Sequence, residues 1–344
     1  MHPFIERLGL RVPILQAPMA GVSTPALAAA VTQAGGLGAL GLGAMTVDQA
    51  EAALRAAAAL TSGPINANLF CHQPLPPDPA RNRAWIAHLA PAFAEFGAAP
   101  PEDLFEIYQS FRGNRTMLDM LLALRPAVVS LHFGLPEPEA IAALKAAGIV
   151  LLASATSAAE ARAAMAAGID AVVAQGWEAG GHRGLFDPDG ADERLGTFDL
   201  LPRIAALGLP VIAAGGLMTG ADIARAERLG AAAAQLGTAF VACPESAADT
   251  AYRAALGSAT EMTRAISGRP ARGIANRFTA LGDGVPAAQI APYPYAYDAG
   301  KALNAAARAQ GETGFSAQWA GTGAACARPM PAADLVALLA RERG

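Results

Sequence analysis

The sequence predicts an α/β protein whose parallel strands close into a TIM barrel, with eight strands and eight helices. Short apolar runs alternate with alanine-rich helical segments along the 344 residues. The apolar runs are continuous, which is typical of parallel strands covered on both faces. Eight such strand–helix units follow one another, and that number favours a closed barrel. A doubly wound open sheet is the alternative.

Four apolar runs predict the first half of the barrel. The run "VPILQAP" is the first strand, and a helix follows from about Thr24 to Ala34. The run "LGALGLG" is the second strand and leads to a helix that Thr46 opens. The third strand is "INANLF", and the fourth is "AVVSLHFG", followed by the helix "EPEAIAALKAAG".

The second half of the barrel follows the same period. The fifth strand, "IVLLASA", leads to a helix that begins at Ser157, with Glu160 three residues later in a capping-box pattern. The sixth strand is "IDAVVAQG", and the seventh is "PVIAAGG", with a helix from about Thr219 to Leu229. The eighth strand is "AAAAQLGTAF". The last segment, "PAADLVALLARER", is predicted to form a helix that packs back on the barrel.

Two segments interrupt the period and divide the chain. Residues 71–112 are rich in proline and aromatic residues and form an excursion after the third strand. Residues 245–317 follow the eighth strand and are long enough for an inserted helical lid that binds substrate. The sequence therefore predicts a barrel of residues 1–244 and 318–344, which includes the excursion, and a lid domain of residues 245–317.

Composition excludes several classes of partner. Hydrophobic residues make up 53% and charged residues 16%, below the usual quarter, and the net charge is −4. Since no basic block occurs, neither nucleic acid nor an anionic membrane is expected to bind. The start of the chain lacks a signal-peptide pattern and no run predicts a membrane span, so we expect a cytoplasmic protein. Cys71, Cys243 and Cys326 lie far apart, so no metal site or disulfide framework is predicted.

Polar residues interrupt the apolar runs where the predicted strands end. In a TIM barrel the active site lies at the carboxyl ends of the strands. Each polar side chain alone could satisfy a nearby backbone group, but their clustering at one barrel end favours a functional site. These residues are Gln16, Asn68, His132, Gln175, His182 and Gln235.

Glycines after the seventh and eighth strands predict a phosphate site. Gly215 and Gly216 follow the seventh strand, and Gly237 with Thr238 lies in the eighth. Loops at these positions bind phosphate in many TIM barrels, and helix N-termini attract anions. The alternative is that the glycines only ease tight turns. No dinucleotide-binding glycine fingerprint is present, so a tightly held dinucleotide is not indicated, whereas a mononucleotide such as FMN needs only a phosphate site and room for its ring.

Further candidate residues lie at the ends of the first, fourth and sixth strands. Pro18 and Met19 could provide an apolar wall for a flavin ring, or simply a strand-end turn. In "EAGGHRG", glycines flank His182, which favours a functional imidazole able to exchange a proton near neutral pH. His132 is expected to face the same barrel mouth. The other histidines, His2, His72 and His88, are interpreted as surface or packing residues.

The segment "PYPYAYDAGK" places Tyr293, Tyr297 and Lys301 four residues apart. If the chain is helical from Ala296, they share one face. An amphipathic lid helix is the alternative. Only two of the 25 basic residues are lysines, Lys145 and Lys301. A lysine beside tyrosines therefore suggests a compact ammonium that holds an anion.

These motifs resemble the nitronate monooxygenase family, formerly called 2-nitropropane dioxygenase. The matching runs occur in order over nearly the whole chain: "QAPMAG", "INANLF", "SLHFG", "AQGWEAGGHRG", "AAGGLMTG" and "QLGTAF". Tyr108, the tyrosine–lysine segment and the ending "WAGTG…ARPMP" resemble the class I branch. "EAGGHRG" alone is shared with related flavin reductases. One departure is Thr322, where the family pattern has a longer side chain, often glutamine.

The resemblance implies a TIM barrel that binds FMN without a covalent bond and oxidises alkyl nitronates with O2. The products are a carbonyl compound and nitrite or nitrate, and propionate 3-nitronate is the expected natural substrate. His182 would lie beside the flavin and the substrate, within a pocket lined by His132, Tyr108, Tyr293, Tyr297 and Lys301. The residues expected at FMN are Met19, Asn68, Gln175, Gly180, Gly216, Gln235, Leu236, Gly237 and Thr238, joined by Pro18 and Gly215 from the strand-end argument.

Two alternative activities stay open from the sequence. The first is an FMN-dependent NAD(P)H reductase that acts on enoyl thioesters or quinones. The second is a barrel isomerase or aldolase without flavin that acts on sugar phosphates. The expected partners are a small nitronate and O2, and the sequence leaves open a monomer or a homodimer.

Overall fold

The barrel wall is one sheet of eight parallel strands within residues 2–344, which the computed structural model describes. The sheet order is β1-β9-β8-β6-β5-β4-β3-β2, and a parallel bridge between Leu15 and Leu37 links its two ends. This closure confirms the barrel over the open sheet. The strands, numbered along the chain, are β1 (Ile14–Gln16), β2 (Gly38–Gly41), β3 (Ile65–Phe70), β4 (Val128–His132), β5 (Val150–Ala155), β6 (Ala171–Gln175), β7 (Gly181–His182), β8 (Val211–Ala214), β9 (Ala233–Leu236), β10 (Thr260–Thr263) and β11 (Ala271–Ile274).

Helices surround this sheet and cover one end of it. Of the described helices, none has the length and apolar character needed to cross a membrane. Short 3₁₀ helices occur at Ala287–Gln289 and Ala324–Cys326. The α-helices are α1 (Pro3–Arg7), α2 (Pro25–Gln33), α3 (Val47–Leu60), α4 (Pro79–Glu95), α5 (Arg115–Leu124), α6 (Pro138–Ala146), α7 (Ala158–Ala166), α8 (Thr197–Ala205), α9 (Gly220–Arg228), α10 (Thr238–Val241), α11 (Thr250–Ala255), α12 (Arg277–Ala280), α13 (Tyr295–Ala309) and α14 (Ala332–Arg343).

The barrel strands are buried on both faces because alternate residues enter two different cores. Residues such as Leu152 and Ile212 meet inside the barrel, where Phe4 and Ile5 of α1 close the amino-terminal end. Their sequence neighbours, such as Leu151, pack against the outer helices. This double burial explains why the strands read as continuous apolar runs.

Side-chain caps fix where several helices begin. The Thr46 hydroxyl and the Gln49 side chain bond each other's backbone amides at the start of α3. The predicted box at α7 is only half right. Ser157 accepts a hydrogen bond from the amide of Glu160, but the Glu160 carboxylate accepts from the amide of Thr156 at 2.7 Å. That carboxylate also accepts from the amide of Phe186, so it braces a distant loop instead.

The structure corrects two predictions near the carboxyl ends of the strands. The run "AAAAQLGTAF" is not one strand, because β9 ends at Leu236 and α10 begins at Thr238. The segment 245–317 is not purely helical, since it contains β10 and β11. Strand β11 pairs antiparallel with both β10 and β7, and Ala271 is opposite His182. His182 therefore lies in a short strand of a second sheet and not in a free loop.

A second hydrophobic core lies over the carboxyl end of the barrel. Trp85, Leu89 and Phe93 of α4 pack with Leu303 of α13 and with Phe315. Helix α4 belongs to the excursion after β3, so this excursion packs on the segment that follows β9. At the end of the chain, α14 packs against α9 and α2, which confirms the predicted packing of the final helix on the barrel.

Candidate functional site

A cavity of about 630 Å³ opens at the carboxyl ends of the barrel strands. This volume is usual for sites that enclose small organic ligands. All the residues that the sequence analysis assigned to cofactor or substrate line it: Pro18, Met19, Asn68, Tyr108, His132, Gln175, Gly180, His182, Gly215, Gly216, Gln235, Leu236, Gly237, Thr238, Tyr293, Tyr297 and Lys301.

Gln16 is a strand-end polar residue that serves the fold instead of the cavity. Its side-chain amide donates to the hydroxyl of Ser23 at 2.7 Å and accepts from the amide of Ala39 at 2.9 Å. These bonds satisfy backbone and side-chain groups at the tip of β1. The general expectation that buried polar residues bond to nearby backbone therefore holds at this position.

One side of the cavity, here called the glycine wall, consists of Gly215, Gly216, Gly237 and Thr238. Gly215 and Gly216 have φ values of 120° and 69°, a region that favours glycine. A Cβ atom on Gly216 would lie 2.9 Å from the Cβ atom of Glu178. A side chain is thus excluded after β8, and main chain lines the cavity there.

The other half of the glycine wall lies where β9 meets α10. Gly237 is the N-cap of α10 and provides no side-chain cap, so the amides of Thr238 and Ala239 at the start of the helix have no intrahelical partner. A Cβ atom on Gly237 would approach the Cβ atom of Ala17 to 3.3 Å. The hydroxyl of Thr238 accepts a hydrogen bond from the amide of Gly321 at 3.0 Å.

Three other predicted cofactor residues make bonds or contacts that shape the chain itself. A Cβ atom on Gly180 would lie 2.4 Å from the nitrogen of Gly321, so packing alone requires glycine there. The side-chain NH₂ group of Asn68 donates to the hydroxyl of Ser130 at 2.9 Å. Gln175 donates to the carbonyl of His182 at 2.9 Å and accepts from the amide of Gly184 at 2.7 Å. These contacts set the shape of the cavity floor.

The opposite side of the cavity, here called the aromatic wall, consists of Tyr108, His182, Tyr293, Tyr297 and Trp319, with Lys301 at its edge. The ring of His182 lies 5.1 Å from that of Trp319 and 5.8 Å from that of Tyr293, measured between centroids. The Nε2 atom of His182 is buried and has no hydrogen-bond partner within the described residues. This unpartnered nitrogen is available to a ligand.

Electrostatics keep His182 neutral. Burial, followed by the neighbouring His132 and the charge of Arg269, lowers the pKa of His182 from 6.5 to about 3. At neutral pH the imidazole therefore carries no charge and can accept or donate a hydrogen bond.

His132 is held by protein groups at both ring nitrogens. Its Nδ1 atom lies 2.9 Å from the Ser154 hydroxyl, and its Nε2 atom lies 3.2 Å from the His182 carbonyl. Burial is the main reason that the pKa of His132 falls to about 4. Because the His182 carbonyl can only accept, the neutral ring carries its proton on Nε2 and accepts from Ser154. The ring thus supports the backbone of His182.

Besides His182 and Trp319, the aromatic wall contains three tyrosine phenols and, at its edge, the ammonium of Lys301. The ammonium of Lys301 lies 4.9 Å from the ring centre of Tyr108, and the ring of Tyr108 lies 5.4 Å from that of Tyr297. Burial raises the pKa of Tyr108 and Tyr293 well above the usual range, and that of Tyr297 to about 12. All three phenols therefore stay protonated and can donate hydrogen bonds.

Helical spacing explains only part of this arrangement. Tyr297 and Lys301 lie one turn apart on α13, but Tyr293 precedes the first residue of that helix, Tyr295. Tyr293 instead reaches the cavity through packing, because its ring meets those of His72 and Phe133 edge-on. The prediction of one shared helical face was therefore wrong for Tyr293.

Three residues around His182 were not predicted. Trp319 donates towards the Tyr297 hydroxyl at 3.4 Å, and Phe133 packs edge-on against His182. The guanidinium of Arg269 lies 4.1 Å above the Phe133 ring, and burial lowers its pKa to about 10. Trp319 and Phe133 fall inside the matched runs "WAGTG" and "SLHFG", which offered a signal. Arg269 lies outside any such motif.

Comparison with known proteins gives consistent results. A family model described as nitronate monooxygenase matches residues 2–342. The nitronate monooxygenase of Paraburkholderia phytofirmans is 59% identical over 340 residues, covering 97% of this chain and 93% of that protein. The nitronate monooxygenase of Pseudomonas aeruginosa is 53% identical, with 98% of each covered. A solved structure of nitroalkane oxidase from Streptomyces ansochromogenes is 40% identical, has a TM-score of 0.90, and covers 98% of this chain and 97% of its own.

Proposed function

This chain belongs to the nitronate monooxygenase family, and we propose that it uses FMN and O2 to oxidise propionate 3-nitronate or a similar small nitronate. The products would be a carbonyl compound and nitrite or nitrate. One observation supports this substrate most directly: protonated phenols and the Lys301 ammonium border the same cavity as the unpartnered imidazole of His182. A small anion fits that combination of groups.

The lining residues fit FMN as the flavin. When bound, the flavin supplies the redox centre that takes electrons from the nitronate and passes them to oxygen. Gly216, Gly237 and Thr238 would hold the phosphate, because main chain and the start of a helix meet there. Met19, Asn68, Gln175 and Gly180 would hold the ring, with Pro18, Gly215, Gln235 and Leu236 completing the surface.

The aromatic wall would bind the anion. A nitronate is a resonance-stabilised anion that accepts hydrogen bonds at both oxygens, and donors to a charged acceptor form strong bonds. The phenols of Tyr108, Tyr293 and Tyr297 are such donors. Lys301 is exposed at the edge of the cavity, where its ammonium would meet the carboxylate of propionate 3-nitronate.

His182 would act differently on two forms of substrate. A neutral nitroalkane must lose a proton before oxidation, and His182 would accept it. Because the lowered pKa of about 3 makes this imidazole a weak base, neutral nitroalkanes would react more slowly than nitronates. A preformed nitronate has no such proton, so there His182 would only orient the substrate through a hydrogen bond. His132 would hold the His182 backbone from behind.

Oxygen consumption by the purified protein tests this function. We expect rapid oxygen uptake with propionate 3-nitronate, nitrite or nitrate as a product, and no oxidation of NADH. Anaerobically, the nitronate should bleach the flavin absorbance while NADH leaves it unchanged. Rapid bleaching by NADH alone would instead identify a flavin reductase. A colourless protein that FMN cannot reconstitute would favour the flavin-free alternative.

A further inference from the structure

His182 lies on a strand that is too short to fix it. Strand β7 contains two residues, Gly181 and His182, and among residues 2–344 it pairs with β11 alone, opposite Arg272 and Ala271. Gly181 has a φ of 76°, so the chain turns sharply just before the imidazole. Other contacts must therefore hold the backbone of His182 in place.

The adjacent Arg183 provides such contacts from the buried side of the segment. Its side chain is 1% exposed. The guanidinium Nη1 atom donates to the carbonyls of Gln175 and Gly176 at the tip of β6, both at 3.0 Å. Its backbone amide donates to the carbonyl of Pro270 at 2.8 Å. Arg183 thus joins the His182 segment to a barrel strand and to the second sheet.

Asp192 holds this guanidinium from the other side. Its two carboxylate oxygens accept from Nε and Nη2 of Arg183 at 2.9 and 2.8 Å, the parallel geometry that arginine and carboxylate prefer. Burial opposes ionisation of Asp192, but hydrogen bonds from Arg183 and Arg194 hold its pKa below the ordinary value. The Asp192 carboxylate is therefore ionised at neutral pH, and its two hydrogen bonds fix the direction in which the guanidinium points.

We propose that Arg183 and Asp192 are positioning residues that act on the reaction through His182. Neither Arg183 nor Asp192 is among the residues that line the cavity. The pair holds the backbone on one side of His182, while Gln175 and His132 bond to the carbonyl of His182 on the other. Together they aim the imidazole at the space beside the glycine wall. This inference rests on the role proposed for His182.

A double-mutant cycle separates this role from a purely structural one. Residues that act through the same group give non-additive effects, whereas independent residues give additive ones. The variants are Asp192→Asn, His182→Asn and the double variant, each as the FMN-bound protein. The substrates are nitroethane and its anion ethylnitronate, which share a carbon skeleton but differ in the proton that His182 would remove.

We expect Asp192→Asn to lower kcat/KM for nitroethane by about tenfold or more in the wild-type background. In the His182→Asn background the same change should lower it by less than about twofold. The loss with ethylnitronate should be smaller than with nitroethane. Equal losses in both backgrounds would overturn the proposal.

Two further variants control for a nonspecific effect of removing a nearby charge and for failure of Asp192→Asn to fold. Glu193 follows Asp192 in the sequence and forms an exposed ion pair with Arg203. Glu193→Gln removes that pair and should leave kcat/KM unchanged for both substrates. If Asp192→Asn does not fold, Arg183→Lys replaces it, because lysine keeps the charge but loses the guanidinium that joins the two carbonyls to the Asp192 carboxylate. Additive behaviour of Arg183→Lys would also overturn the proposal.

The cycle also distinguishes failure of this inference from failure of the proposed function. Wild-type oxygen uptake with propionate 3-nitronate reports on the function alone. If uptake is intact and the cycle is additive, only the positioning role is wrong. If His182→Asn is as active as wild type with nitroethane, the positioning role is also wrong, because the pair would have nothing to act through.

Discussion

The glycine wall and the aromatic wall face the same cavity but are built differently. The glycine wall is main chain from the tips of two neighbouring strands, β8 and β9. The aromatic wall is made of side chains from residues as far apart as Tyr108 and Trp319. The glycine wall therefore depends on the shape of the backbone, and the aromatic wall depends on packing between residues that are distant in the sequence. Changes in the glycine wall should affect cofactor retention, and changes in the aromatic wall should affect substrate choice and acid stability.

The largest effect is expected from Gly216→Ala in the glycine wall. Alanine there must adopt a left-handed conformation, with its Cβ atom 2.9 Å from that of Glu178. We expect FMN affinity to fall by about 100-fold or more, since the main chain must shift. The ratio of flavin to protein absorbance after dialysis, followed by titration with FMN, measures this loss.

Gly208→Ala is the matched control for this change. Gly208 also has a positive φ, of 86°, but a Cβ atom added there would meet no atom of the described residues within 4 Å, and the residue does not line the cavity. The strain of a left-handed alanine is thus common to both variants. Full FMN retention by Gly216→Ala would break the distinction between the two walls.

The fold could be predicted because its signals are local. Continuous apolar runs specify strands that are buried on both faces, and Thr46 and Thr219 mark helix starts through bonds to residues three positions away. The second sheet could not be predicted in this way. A strand of two residues, Gly181 and His182, has no periodicity, and its pairing with Ala271 depends on a contact across 89 residues.

The site was predictable to the extent that chemistry is visible in residue type. Glycines and polar residues at strand tips indicated one wall, and the tyrosine–lysine spacing together with the family resemblance indicated the other. Arg269 could not be predicted as part of the site, because no nearby residue in the sequence indicates that its guanidinium lies over the Phe133 ring. The ion pair between Arg183 and Asp192 also depends on how the irregular segment between them turns, and this segment has no periodic pattern in the sequence.

A smaller effect is expected from Lys301→Met at the edge of the aromatic wall. Methionine keeps much of the side-chain length but removes the ammonium that would meet the substrate carboxylate. We expect the KM for propionate 3-nitronate to rise by about tenfold, and that for ethylnitronate by about twofold or less. FMN content should not change. Steady-state oxygen uptake with both substrates measures the difference.

The other lysine offers the matched control. Lys145 lies on α6 outside the cavity, where its ammonium contacts Asp170 at 3.3 Å. Lys145→Met removes the same charge from the protein, so it corrects for any change in overall charge. Equal KM changes for the two nitronates in Lys301→Met would contradict a role in holding the carboxylate.

Three buried histidines, His182 in the aromatic wall with His72 and His132 packed against it, should also make the fold sensitive to acid. Burial lowers the pKa of His72 and His132 to about 4 and that of His182 to about 3, each from 6.5. Below pH 6.5 the unfolded chain binds protons that the folded chain does not. Stability therefore falls as the pH drops from about 6.5 towards 4, by up to about 1.4 kcal/mol per pH unit for each histidine.

The smallest effect is expected from His72→Phe, which tests this origin of acid sensitivity. His72 is 1% exposed, and neither ring nitrogen has a hydrogen-bond partner within residues 2–344. Phenylalanine preserves the edge-on contact with Tyr293 and removes two unsatisfied polar atoms, so stability at pH 8 should be unchanged or higher. Between pH 6 and 5 the loss of stability should be smaller than in wild type by about 1 kcal/mol. Urea unfolding at each pH measures both quantities, and an unchanged pH slope would show that His72 does not contribute to the acid sensitivity of the fold.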